Sequence, residues 1–101
     1  MAAADYLTKQ KPRVFFVSFG ETDEWAHAGR YDQTLISAQR TDDFIRRLWE
    51  LAQSMRQYRG KTTLILTPDH GRGCGPAGWK KHVRHVCGSE ERWMAFHVPD
   101  T

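Results

Sequence analysis

The sequence predicts an α/β chain: a fragment of parallel sheet whose strands are joined by a crossover helix. Three observations predict it. Two runs, Val14-Phe15-Phe16-Val17-Ser18-Phe19 and Thr62-Thr63-Leu64-Ile65-Leu66-Thr67, carry apolar or β-branched residues without alternation. That suits strands covered on both faces. Between them lies a long stretch whose apolar residues recur at spacings of three and four. Each run is followed by one carboxylate and one imidazole, in Asp23-Glu24-Trp25-Ala26-His27 and in Asp69-His70-Gly71. Neighbouring parallel strands would bring both pairs to one sheet edge, where open α/β sheets place their ligands.

The elements follow in order. Ala2 to Gln10 is a short helix with Tyr6 and Leu7 as apolar contacts, and Pro12 ends it. Arg13 to Phe19 is the first strand, punctuated by Gly20. A turn of helix begins at Glu21 or Thr22, carries Asp23 to His27 and stops at Gly29. From Tyr31 to about Arg56 the pattern is helical. Leu35, Ala38, Phe44, Ile45, Leu48, Leu51, Ala52 and Met55 form the apolar face, opposite Arg40, Asp43, Arg46, Arg47 and Glu50. Thr41 or Asp42 could divide it in two. Gln57 to Lys61 is the exit turn, Thr62 to Thr67 the second strand, and the glycine-rich stretch Pro68 to Trp79 a loop. Trp93 to Val98 is a third strand, closed by Pro99. A strand, a crossover helix and a second strand make a right-handed parallel unit. Three strands and one long helix leave a sheet face under-covered, so residues 1–101 are expected to be one partial domain, a piece of something larger.

Composition narrows the function classes. With 101 residues there is room for one small domain. No run approaches the roughly 18 apolar residues of a membrane span, and Met1 to Lys11 lacks the apolar core of a signal peptide. Localisation stays open. The net charge of +3 comes largely from Arg46, Arg47, Arg56, Arg59, Lys61, Lys80, Lys81 and Arg84. It is expected to be solvated surface. No basic stripe interleaved with aromatics occurs, so no nucleic-acid partner is expected. Two cysteines, Cys74 and Cys87, make no disulfide framework.

Asp23 and His27 sit at i and i+4, which on a helical turn puts both on one face, close enough to share an ion. The plain alternative is a carboxylate at the positive end of the helix and a surface histidine. Asp69, at a strand's C-terminal end beside His70 and before glycines, is harder to explain as structure alone, although an Asx turn would use it. Carboxylate and imidazole suit zinc or manganese. One ion needs a third protein ligand, and His82, His85 and His97 all lie downstream.

Taken together, Asp23-x-x-x-His27, a strand, Asp69-His70-Gly71 and a later His resemble the metal-binding half of the alkaline phosphatase superfamily. The wider context is similar: Gly20 to Asp32, Leu64 to Gly73, Trp79-x-x-His82, Trp93-Met94-Ala95 and Val98-Pro99-Asp100-Thr101. The resemblance implies the C-terminal portion of a doubly wound, alkaline-phosphatase-like domain that acts on phosphate esters as a phosphomonoesterase or phosphodiesterase. Within the family a sulfatase fits less well than a phosphatase, phosphodiesterase or phosphomutase, because sulfatases as a group use a different metal set. It implies two divalent ions, zinc first and manganese as the alternative. Asp23 and His27 match ligands of one ion, with His82 as the third and His85 as its substitute; Asp69 and His70 match ligands of the other. Val83 follows His82 where the family commonly has Gly, and His97 stands where Gly is expected before the Pro. The family's Ser or Thr nucleophile has no counterpart before Val14, so no catalytic nucleophile is expected within this chain. The missing N-terminal part of the same domain would supply it. Arg72 and Lys80 could add positive charge but are expected to be solvated.

Two other classes compete. Cys74, His82, His85 and Cys87 could make a small structural zinc module, though their spacing is unusual and Asp23, His27 and Asp69 would go unexplained. The chain could also be a non-catalytic interaction module.

Overall fold

The computed structural model describes residues 2–81, 88 and 90–99. Helix α1 spans Ala2–Gln10 and stops before Pro12, as expected. Leu7 is buried, and Tyr6 stacks on Phe15 with ring centroids 5.3 Å apart. Helix α2 spans Glu21–His27, with Glu21, Asp23 and Glu24 in its first turn, where the helix dipole favours carboxylates. It closes in a Schellman turn: Gly29 N–H donates to Ala26 O and Arg30 N–H to Trp25 O, both at 3.0 Å. Gly29 takes the left-handed φ of +75° that this turn requires.

Helix α3 spans Tyr31–Ser54 without interruption at Thr41 or Asp42. Asp43 bridges Arg46 and Arg47, and Arg46 also reaches Glu50 at 3.1 Å, so the polar face is laced at helical spacings. At its start Arg30 grips Asp32 with two bonds of 3.1 and 2.9 Å and lies over the Trp25 ring. Helices α2 and α3 form the best-packed part of the molecule. Ala26 is buried between them, and the fully buried Ser37 is hydrogen-bonded to Thr22 Oγ1 at 3.1 Å. The far end of α3 is tied back to the end of α1, where the Tyr58 hydroxyl donates to Pro12 O at 2.8 Å.

The sheet differs from expectation. Strands β1, Leu64–Leu66, and β2, Ala95–His97, pair antiparallel, with Ile65 opposite Phe96. Thr67 Oγ1 donates to Trp93 O just beyond them. Among the described residues this two-stranded sheet is the only one, and Arg13 to Phe19 is not paired into it. That run still shows a strand's period of two, with Phe15 and Val17 half-buried while Val14 and Phe16 are 88% and 86% exposed. Its hold on the rest is through rings, Phe15 on Tyr6 and Phe19 edge-on to Phe44. Among the described residues no strand lies beside the first run, so the expected parallel crossover is not seen there. A short helix α4, Gly75–Gly78, lies in the segment expected to be loop throughout.

Packing is thin. Leu35, on the expected apolar face of α3, stays exposed, as does Ile36 beside it. The accessible surface is 7878 Å² for 11.7 kDa. A folded monomer of that mass exposes about 5,900 Å². The radius of gyration is 16.1 Å, against about 13 Å for a compact domain of this length. No described helix is long and apolar enough to cross a membrane.

Candidate metal centre

Asp23 projects from the first turn of α2, and His70 and Arg72 from the loop that leaves β1. The fold brings them together. His27 Nε2 stands 3.4 Å from Asp23 Oδ2, one helical turn along the same face. His70 Nε2 stands 3.6 Å from Asp23 Oδ1 and 3.3 Å from Asp69 Oδ1. Asp23 thus lies between the two histidines, and His70 between the two carboxylates. Asp69 is 89% exposed and faces the open side, whereas His70 is 21% exposed.

The tautomer of His70 follows from its neighbour. Its Nδ1 lies 2.9 Å from Gly71 O, which can only accept, so Nδ1 carries the proton. Nε2 is then the ring atom that faces the two carboxylate oxygens. The donor set and the spacing both fit a divalent ion. Two ligand atoms about 2.0–2.2 Å from one tetrahedral ion lie about 3.3–3.6 Å apart, a range that includes the 3.4 Å of the Asp23–His27 pair and the 3.3 Å of the Asp69–His70 pair. The contacts are pairwise. Among the described residues, no three His, Cys, Asp or Glu side chains gather to hold one ion. The expected third ligand, His82 or its substitute His85, lies outside the described residues.

Arg72 corrects an expectation. It is not a solvated charge: its side chain is 26% exposed, and its Nη2 donates to the Asp23 carboxylate and, at 3.2 Å, to Asp23 O. Arginine in a glycine-rich loop gives no hint of this, because the partner lies in a separate element. Lys80 remains exposed, but its side chain crosses Gly29 so closely that a Cβ there would sit 2.9 Å from Cε. His97 is on β2, its ring edge-on to Trp49 at 4.7 Å. Cys74 is disulfide-bonded, which removes the thiolate that a structural zinc module would take from it.

The geometry agrees with what the chain is similar to. A family model described as the metalloenzyme superfamily matches residues 1–87. A 2,3-bisphosphoglycerate-independent phosphoglycerate mutase from Gracilaria tenuistipitata var. liui is 29% identical over 70 residues, which is 69% of this chain. The matched stretch is 13% of that protein's length. No solved structure matches. With the family match covering both the α2 pair and the Asp69-His70 pair, the chain belongs to the metalloenzyme superfamily, the alkaline-phosphatase-like group that its motifs resemble.

Proposed function

We propose that this chain is the C-terminal metal-binding portion of a two-metal phosphoryl-transfer enzyme, and that the reaction is hydrolysis of a phosphate monoester or diester. The observation that carries it is the position of the Asp23 carboxylate between His27 and His70, which joins two motifs from separate elements. The relative named as a phosphoglycerate mutase supports phosphoryl transfer as the wider chemistry.

Asp23 and His27 would hold one ion, with His82 or His85 completing it, and Asp69 and His70 would hold the other. Zinc is the first choice and manganese the second, since carboxylate and imidazole serve both. Bound there, the ions would supply Lewis-acid stabilisation of charge on a transferring phosphoryl group. The residues of this chain do the holding. Gly71 O fixes the His70 tautomer so that Nε2 is the ligand atom. Asp69, open on one side, is placed to meet ligands and substrate arriving from elsewhere. The Ser or Thr nucleophile would come from the missing part of the domain. The uncovered surface supports such a part: covering Val14 and Phe16 would contribute about 1.5–3 kcal/mol each.

A Co²⁺ titration followed by visible absorption tests this against the structural zinc module. Asp23→Ala is expected to abolish the signal and Cys74→Ser to leave it. Retention of the signal in Asp23→Ala, or its loss in Cys74→Ser, contradicts the proposal.

A further inference from the structure

We propose that Arg72 is a positioning residue for Asp23, one that fixes the carboxylate's direction rather than merely neutralising it; this rests on the metal-centre reading above. The guanidinium makes three bonds from two nitrogens. Nη2 donates to Asp23 Oδ1 and to Asp23 O, and Nη1 to Lys80 O at 3.5 Å. Two of these acceptors are main-chain carbonyls. A guanidinium present only to balance a carboxylate has no need of them. The planar fork therefore ties the Asp23 side chain to the backbone of its own helix and to the segment that follows α4.

The loop that carries Arg72 is itself held on both sides. Gly73 N–H donates to Lys81 O at 3.0 Å. Gly71 packs against the main chain of Gly88 and Glu91, and Gly88 against Arg72 O, so closely that neither glycine position has room for a Cβ. The aim of Arg72 is thus set by backbone contacts independent of Asp23. Partners that orient metal ligands typically cost about 10–100-fold in metal affinity when removed. Lysine keeps the charge but cannot reproduce the fork.

The test is Co²⁺ titration of the full chain and its Arg72→Gln and Arg72→Lys variants, with helical circular dichroism recorded for each. Both variants are expected to bind Co²⁺ about 10–100-fold more weakly than the parent. Binding by Arg72→Gln as tight as the parent's, or tighter, overturns the proposal, because the guanidinium would then be idle or a competitor. Full affinity in Arg72→Lys overturns it too, because charge alone would suffice. Should Arg72→Gln lose its helical signal, the Arg72→Lys result decides. An Asp23→Ala chain that binds Co²⁺ like the parent defeats the metal centre itself, a failure distinct from any result at Arg72.

Discussion

The guanidinium of Arg72 reaches 49 residues back along the chain to hold Asp23 at both its carboxylate and its main-chain carbonyl. This contact, with the one between His70 and Asp23, locks the loop after β1 onto α2. The local order of the site depends on how closely that loop can approach its neighbours, and several substitutions test this.

Gly71→Ala should destabilise the chain by about 1–3 kcal/mol, the usual cost of forcing extra atoms into a packed site. Its Cβ would meet the carbonyl oxygens of Gly88 and Glu91, the latter at 2.5 Å, and backbone cannot swing aside as a side chain can. Urea unfolding of the variant measures it. By contrast Gly20→Ala meets nothing within 4 Å, and should change stability by less than about 0.5 kcal/mol.

The hydroxyls of the buried Ser37 and the half-buried Thr22 should couple. Ser37 is wholly buried, donates to Thr34 O at 2.9 Å and bonds Thr22 Oγ1 at 3.1 Å. Ser37→Ala alone should cost about 1–3 kcal/mol, since it leaves the Thr22 hydroxyl short of a partner. A double-mutant cycle with Thr22→Val should give an interaction energy of at least about 0.5 kcal/mol. Simple additivity would mean that the pair does not hold α2 to α3.

Much of this was legible in the sequence wherever a local signal sets the structure. Pro12 marks the end of α1, Gly29 the end of α2, and the apolar spacing the run of α3. The pairs Asp23/His27 and Asp69/His70 could be picked out because their chemistry is unusual at those positions. Strand pairing was not legible. Val14 to Phe19 has the composition of a strand, but a strand is completed by neighbours that composition does not name, and none among the described residues is paired with it. The partner of Arg72 is not legible either, because an arginine in a glycine-rich loop looks the same whether it meets water or a distant carboxylate. Helix α4, Gly75-Pro76-Ala77-Gly78, is four residues of poor helix formers with no periodicity to detect.

The Arg30–Asp32 pair sets a pH signature outside the candidate metal centre. Hydrogen bonds from the Arg30 guanidinium hold the Asp32 carboxyl down to about 2. A carboxylate depressed in the folded state contributes stability above its unfolded pKa, and that contribution is lost as pH falls through the folded value. Carbon-detected NMR titration should therefore find the Asp32 midpoint near 2, and Arg30→Met should return it toward the ordinary range near 4. An unchanged midpoint in Arg30→Met would contradict the assignment. The pair is exposed, so thermal stability should hardly move.

Purified chain supplied with zinc or manganese should not hydrolyse an aryl phosphate at enzyme-like rates, because the nucleophile is expected outside these residues. Turnover above about 1 s⁻¹ in a stopped assay would be enzyme-like, and would show that the chemistry needs nothing more.

The central claim is that the two Asp/His pairs hold divalent ions. Anomalous diffraction from crystals grown with zinc, with data collected on both sides of the zinc edge, tests it most directly. One peak is expected within ligand distance of Asp23 and His27, and a second, weaker one beside Asp69 and His70. Zinc bound only at other residues, with no peak near Asp23, would contradict the account.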